Sequence, residues 1–266
     1  MKINILLRIC TFVFFFMPLG RLHAAANKTP PKIIRVASPD SWCPIVCQKE
    51  NLSGERLGFA IDMATEIFKM HNIKLELVAM PYTRALAEVK AGRLDAIPSA
   101  YKDEAPGFVF PAEPILKADI CFFTNQNTQW TYSKPADISK LSKPIAVVES
   151  YSYGKELDKY ILENPNYFEK IKGENAVERM MELVKLGRAF SFSDDYALIF
   201  WKMHNNKKLQ FRNAGCATSI FSYFALSPEN PYSAQYSEYF SSGIKILRQN
   251  GTVEKIMKRY GLHDWK

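Results

Sequence analysis

The alternation of hydrophobic and polar residues between positions 57 and 101 changes period repeatedly. Apolar residues first recur at helical spacing after Gly58 and then alternate with charged residues, which is the two-residue period of a strand. A second helical pattern runs to Gly92, and a short apolar run that fits a buried parallel strand follows it. A further strand is predicted at 33–36. This order of strands and helices predicts an α/β fold with a parallel sheet covered by helices.

Loops that follow the strands of such a sheet are the expected place for a ligand, because ligands bind outside the carboxyl ends of the strands. The loops concerned are 38–47, 80–84 and 98–103. Aromatic residues stand in these loops and in a later one: Trp42, Tyr82, Tyr101, Tyr151 and Tyr153. Their rings could stack on a flat or cationic part of a small molecule, or they could pack at a domain edge.

The rest of the chain continues the alternation of strands and helices. Strands are predicted at 115–124, 144–148, 189–193, 209–211 and 219–226. Helices are predicted at 154–162, 175–186, 195–201, 232–247 and 252–260. The segment 102–114 reads as irregular, and the polar segment 125–143 is expected at the surface.

The N-terminus has the features of a cleaved signal peptide spanning residues 1–26. A basic start precedes the apolar run 9–19, and Ala24, Ala25 and Ala26 supply the small residues of a cleavage site. The apolar run is too short to span a membrane, which takes about 20 residues. Cleavage would remove three basic and no acidic residues and lower the formal net charge from +8 to +5. The protein is therefore expected in the periplasm.

Four cysteines remain after this cleavage, and export permits disulfides. Cys43 and Cys47 stand four positions apart around a proline, which favours a local disulfide over a metal pair, since no second pair follows at zinc-ligand spacing. Cys121 and Cys216 lie in apolar surroundings and are expected to be buried thiols, with a bridge between them left open.

Several segments resemble the bacterial extracellular solute-binding proteins of family 3. They are 58–62 (Gly-Phe-Ala-Ile-Asp), 86–97 with its Gly-x-x-Asp before a strand, 110–115, and 248–261 with its Asn-Gly-Thr helix start. The resemblance implies a type II periplasmic binding protein fold, in which two lobes, each a mainly parallel sheet with flanking helices, are joined by two crossover strands. It places lobe 1 at 27–123 and 224–266, and lobe 2 at 124–223.

The resemblance also indicates ligand-binding residues. Amino-acid binders of the family carry a Thr-x-x-Arg pattern whose Arg holds the ligand carboxylate, but this chain has Tyr101-Lys102-Asp103-Glu104 there. Ser150 and Ser152 match the family's Gly-Thr-Thr-like turn at a helix start, where free N–H groups suit an anion, although a plain helix cap is the alternative. Asp194 or Asp195 matches the Asp that binds the amino group of the ligand. Spacing favours Asp195, and one of the two would cap the helix.

Arg84 has two interpretations. It is the best cation near the ends of the lobe 1 strands and could replace the missing carboxylate-binding Arg. It could instead form an ion pair with Glu88, one helical turn further on, and this structural interpretation is slightly favoured.

The sequence and the resemblance together predict a binding protein that is not an enzyme. It would capture a small polar metabolite, such as an amino acid or a related compound, and deliver it to the membrane permease of an ABC-type transporter. No cofactor, metal or nucleic acid is expected as a partner, and the protein is expected to be a monomer. One alternative is an enzyme on the same scaffold, similar to cyclohexadienyl dehydratase, with Asp95 or Glu149 as acid or base. Another is a ligand-sensing module.

Overall fold

The computed structural model of the protein describes residues 30–39, 42–47, 57–149, 151–173 and 175–266. The predicted signal peptide lies outside these residues. The strands are β1 (Ile33–Pro39), β2 (Lys74–Met80), β3 (Ala96–Tyr101), β4 (Leu116–Asn125), β5 (Ile145–Val148), β6 (Phe168–Ile171), β7 (Ser191–Asp195) and β8 (Phe211–Leu226). The α-helices are α1 (Phe59–Lys69), α2 (Tyr82–Lys90), α3 (Lys155–Glu163), α4 (Ala176–Lys185), α5 (Tyr196–Asn205), α6 (Ser233–Gln249) and α7 (Thr252–Arg259).

The strands of the described residues form one mixed sheet with the order β2-β1-β3-β8-β4-β7-β5-β6. In the first half of the sheet, β1 is parallel to β2 and β3. In the second half, β5 is parallel to β6 and β7. The two central strands, β4 and β8, are antiparallel to each other and to their outer neighbours. The predicted α/β fold is confirmed, and the two central strands join its parallel halves.

Each half of the sheet has its own hydrophobic core, and the central strands contribute to both. Leu116 and Phe224 belong to the core of the first half, which α1, α6 and α7 cover. Phe123 and Phe211 belong to the core of the second half, beside α4 and α5. Because β4 and β8 each place residues in both cores, they are the two crossovers between the halves.

Two predictions about single segments are wrong, and one strand was not predicted. The strands expected at 209–211 and 219–226 are one strand, β8, whose middle residues are only partly buried and so show no continuous apolar run. The short edge strand β6 was not predicted, because its four residues carry two charges. The segment 125–143 is not only surface, since Tyr132 and Ile138 are buried beneath it.

Both cysteine pairs are disulfides in the structure. Cys43 and Cys47 close a short loop directly after β1. Cys121 of β4 and Cys216 of β8 are also bridged, which corrects the expectation of buried thiols. The two residues are opposite each other in the antiparallel pair of crossover strands, so the sheet itself brings the sulfurs together.

The motif at 58–62 has a structural role that ties the N-terminus of α1 to the end of α7. Gly58 has a φ of 101°, and a Cβ there would lie 2.3 Å from the carbonyl oxygen of Ile45. The Gly58 N–H donates to the Tyr260 hydroxyl at 2.9 Å, and that hydroxyl donates to Asp62 Oδ2 at 2.6 Å. Arg259 Nη2 also lies 3.0 Å from Asp62 Oδ2. The motif therefore anchors the C-terminal helix to the first half of the sheet.

Replacing Tyr260 by phenylalanine should lower the free energy of unfolding by about 1–3 kcal/mol, because a buried N–H and a largely buried carboxyl each lose a hydrogen-bond partner. Urea unfolding followed by circular dichroism measures the change. Tyr239→Phe is the control, since the Tyr239 hydroxyl only accepts from the partly exposed Gln235 side chain. Equal stability of wild type and Tyr260→Phe would contradict the anchoring role.

Candidate functional site

The carboxyl ends of β1 and β3 and the start of α2 bring three aromatic residues to one edge of the first half. Trp42 lies in the loop after β1, and Tyr82 begins α2; their ring centroids are 6.0 Å apart. Tyr101 ends β3 and is 9% exposed. Since β1 and β3 are parallel, their carboxyl ends meet at this edge, as the pattern of the sequence predicts.

Glu104 joins this aromatic group through the turn that follows β3. The Tyr82 hydroxyl donates to Glu104 Oε2 at 2.8 Å. Burial raises the pKa of the Glu104 carboxyl, while hydrogen bonds from Tyr82 and from the backbone amides of Tyr101 and Ser152 oppose the rise. Ser152 precedes α3 in the second half, so Glu104 reaches across from one half of the sheet to the other.

Sequence reasoning missed Glu104 as a site residue, although a signal for it was present. Glu104 stands three positions after Tyr101, in the segment where the family resemblance leads one to expect Thr-x-x-Arg. The Arg of that pattern is missing from this chain. Glu104 stands where the family has a positively charged Arg, so the charge at this position is reversed. In the structure, the Glu104 side chain lies towards the opposite half.

Asp194 is the second buried acid near this group, at the carboxyl end of β7. It is 4% exposed, its Oδ1 accepts the Asp195 N–H at 2.7 Å, and its Oδ2 is buried with no hydrogen-bond partner among the described residues. Burial and the nearby Asp195 raise the Asp194 pKa to about 7. Burial raises the pKa of Tyr101, Tyr151 and Tyr153, and the charge of Asp194 adds to each rise, although the charge of Asp195 has the larger effect on Tyr101. Asp194 therefore lies among tyrosines from both halves.

Asp195 has different surroundings, because adjacent residues of a strand point to opposite faces. Its Oδ1 caps α5 by accepting the N–H groups of Ala197 at 2.7 Å and Leu198 at 3.1 Å. Its side chain lines a cavity of about 440 Å³ whose other walls include Asp119, Phe200 and the C-terminal segment. Burial raises the Asp195 pKa to about 7 as well.

The turn before α3, for which the sequence left anion binding and a plain helix cap open, binds the Asp158 carboxylate of the protein itself. The Tyr153 N–H donates to Asp158 Oδ1 and the Ser152 hydroxyl donates to Asp158 Oδ2, both at 2.7 Å. Ser150 lies outside the described residues. Tyr151 is 41% exposed at the edge of this turn. The Tyr153 hydroxyl accepts the Val148 N–H at 2.7 Å and is buried, which makes it a structural residue.

The structure places Arg84 on the surface of α2. Its side chain is 68% exposed, and its Nε lies 3.8 Å from Glu88 Oε1. Glu88 also pairs with Arg93 at 2.6 Å. Of the two interpretations of Arg84, this arrangement is the ion pair with Glu88.

The structure also shows the contacts of the two acids expected to act in the enzyme alternative. Asp95 accepts the Arg35 N–H at 2.7 Å and the Asn230 amide at 2.7 Å, so both its oxygens bind the protein. Glu149 is exposed and pairs with Lys172 at 3.0 Å. The structure brings neither of them to the group formed by Tyr82, Tyr101, Glu104 and Asp194.

Comparison with known proteins decides the family. The sequence profile of the bacterial extracellular solute-binding proteins, family 3, matches residues 34–263. The chain belongs to this family. A histidine-binding periplasmic protein of Salmonella typhimurium is 33% identical to it over 76 residues, which is 29% of this chain and 28% of the length of that relative.

Solved structures share the fold of this family 3 protein at low sequence identity. An ancestral arginine-binding protein bound to arginine has a TM-score of 0.68 and 18% identity, and the match covers 86% of this chain and 98% of that one. A histidine kinase sensor domain with similarity to periplasmic binding proteins has a TM-score of 0.70 and 15% identity, with 88% and 98% covered. The resemblance and the type II periplasmic binding protein fold are thus confirmed. Among the described residues, no helix has the length and apolar character needed to cross a membrane.

The unliganded family 3 protein should lose stability as the pH rises from about 4 to 7 and then level off. Asp194 and Asp195 have raised pKa values near 7, against 3.8 in the unfolded chain. In this interval the folded state binds more protons than the unfolded state, so each carboxyl contributes a loss of up to about 1.4 kcal/mol per pH unit. Charged or titratable groups that act on the pair are Tyr101, Asp119, Tyr151, Tyr153, Glu178 and Lys202.

Urea unfolding at pH 5, 6, 7 and 8 measures this dependence. In Asp194→Asn, the free energy of unfolding should fall less steeply with rising pH than in wild type, because only one of the two titrating carboxyls remains. Asp103→Asn, which changes an exposed acid, should keep the slope of wild type. A slope that is the same in all three proteins would show that Asp194 does not titrate near neutral pH.

Proposed function

We propose that this protein is a periplasmic solute-binding protein that captures a small polar metabolite between two lobes and delivers it to an ABC-type transporter. Lobe 1 comprises residues 27–123 and 224–266, and lobe 2 comprises 124–223. One observation carries the proposal: a polar group that includes the buried residues Tyr101 and Asp194 lies at the strand ends where the two halves face each other. Its members from lobe 1 are Tyr82, Tyr101 and Glu104, and those from lobe 2 are Tyr151, Ser152 and Asp194.

Contacts between the halves support a cleft that opens and closes. The Glu104 carboxyl faces the Ser152 amide, and Trp42 packs against the core of the second half. On another side, the rings of Trp201 in α5 and Tyr260 after α7 lie 5.7 Å apart. The two crossover strands are the covalent links beside these contacts, and rotation about them would separate the lobes.

Co-purification and thermal shift test the binding function. Native mass spectrometry of the protein isolated from periplasmic extract should find a bound small molecule that is released on unfolding. Amines and amino acids are then screened for stabilisation, which mass action requires of any ligand that binds only the folded state. If no small molecule co-purifies and no polar metabolite raises the melting temperature, the binding function is wrong.

The delivery step needs its own measurement. The liganded protein should stimulate ATP hydrolysis by an ABC-type transporter from the same cell in membrane vesicles, and the unliganded protein should not. Binding without stimulation of a transporter would instead favour a sensing role. Formation of product from prephenate or arogenate would favour the enzyme alternative, for which Asp95 and Glu149 are not in place.

A further inference from the structure

The polar group between the lobes carries an excess of negative charge. Glu104 and Asp194 both belong to it, and Asp158, in the first turn of α3, lies at its edge. Within the described parts of the chain, no Lys or Arg forms an ion pair with Glu104 or Asp194. Three cations from neighbouring segments have other partners: Arg84 pairs with Glu88, Lys202 with Glu178 at 2.5 Å, and Lys102 lies over the Tyr223 ring at 4.4 Å. Of these, Lys202 acts on Asp194 through its charge without pairing with it. An anionic ligand group would meet repulsion there.

The backbone donors that suit an anion are used by the protein itself. N–H groups before a helix attract a carboxylate, and the turn before α3 offers those of Ser152 and Tyr153. The Glu104 carboxyl of the opposite lobe faces the first, and Asp158 Oδ1 accepts the second at 2.7 Å. Glu104 thus provides in the closed cleft the carboxylate that an amino acid would otherwise bring.

One acceptor in the group has no partner. Asp194 is 4% exposed, and its Oδ2 is buried with no donor among the described residues. An unpartnered buried carboxylate oxygen is costly, whereas an ammonium group placed there would neutralise it and donate a hydrogen bond. The Tyr82 hydroxyl donates to Glu104, and the charge of Asp194 acts on Tyr101 and Tyr151. Tyrosine rings attract cations to their faces.

Building on the solute-binding function, we infer that this cleft takes a small organic cation that carries an amino group and no carboxylate. The ammonium group binds Asp194 Oδ2, the tyrosines enclose the body of the molecule, and Glu104 fills the place of a ligand carboxylate at the Ser152 amide. An amino acid would have to displace Glu104 and bury a second carboxylate beside Asp194. The cleft therefore discriminates by charge between an amine and its parent amino acid.

Matched pairs of compounds test this preference directly. Isothermal titration calorimetry at pH 7.5 compares histamine with histidine, agmatine with arginine, and putrescine with ornithine on the purified protein. At least one amine should bind ten times or more tightly than its amino acid. Glu104→Gln keeps the size of the side chain and removes its charge, so it should weaken the amine and strengthen the amino acid. Glu163→Ala, an exposed acid at the end of α3, should leave the ratio unchanged.

The outcomes separate this inference from the function on which it rests. If amino acids bind as tightly as the amines or more tightly, the amine preference is wrong and the solute-binding function stands. If none of the six compounds binds, the inference is also overturned, and the co-purification experiment decides the wider function. An unchanged ratio in Glu104→Gln would show that Glu104 does not set the selectivity.

Discussion

Replacing Asp194 by asparagine is expected to weaken the binding of the preferred amine by about a hundredfold. Asparagine keeps the size of the side chain and an acceptor for the Asp195 N–H, which Asp194 Oδ1 binds at 2.7 Å. It removes the charge and places a donor where the buried Oδ2 would accept from the ammonium group. Loss of one member of a buried charged pair costs about 2–5 kcal/mol. Titration calorimetry with histamine, agmatine and putrescine measures the loss.

The pH dependence of this affinity provides a second readout that a structural defect would not reproduce. Because burial raises the Asp194 pKa to about 7, wild-type affinity should fall when the pH is lowered from 8 to 6, as the carboxylate takes up a proton. Asp194→Asn should lack this dependence. Asp103→Asn is the matched control, since it removes an exposed acid from the neighbouring turn and should retain wild-type affinity and its pH profile. Wild-type affinity in Asp194→Asn would contradict the assignment.

Removing the Cys121–Cys216 disulfide should produce the largest loss of stability. The bridge closes a loop of 95 residues that contains most of the second half of the sheet, and loop-closure entropy predicts a loss of about 4–5 kcal/mol in Cys121→Ala/Cys216→Ala. Urea unfolding of the double variant, compared with wild type under oxidising conditions, measures it. Because the bridge joins the two crossover strands, its loss should also loosen the second half first in hydrogen exchange.

The second disulfide is a natural control for loop length. Cys43→Ala/Cys47→Ala opens a loop with a sequence separation of only 4, for which the same entropy argument predicts about 2 kcal/mol. A larger loss for this short loop than for the long one would contradict the loop-entropy account. In that case, packing around Trp42 would contribute more to the stability of this loop than the covalent link does.

The sequence predicted the fold well where the hydrophobic period is clear. The change from helical to alternating spacing after α1 marks β2, and the Gly-x-x-Asp turn places β3. The crossover strand β8 was divided in the prediction because residues 215–221 are partly buried or exposed, as expected for a strand that leaves one core before it enters the next. Local period cannot reveal that such a segment remains paired with β4 along its length.

The candidate site was less accessible from the sequence, because its members come from distant segments. The aromatic residues Tyr82 and Tyr101 were identified from their position after strands. Glu104 was not, since an isolated Glu in an irregular segment is typical of a solvated surface, and only the fold places it against the Ser152 amide. The sequence also could not assign separate roles to Asp194 and Asp195, because the role of each depends on the face of β7 that its side chain occupies.

A crystal structure of the protein with the most tightly bound of the three amines would test the central claim most directly. The account predicts the ammonium nitrogen within hydrogen-bond distance of Asp194 Oδ2, tyrosine rings on both sides of the ligand, and Glu104 still at the Ser152 amide. An amine bound instead in the cavity beside Asp195 and Phe200, or an empty space between the lobes, would contradict it.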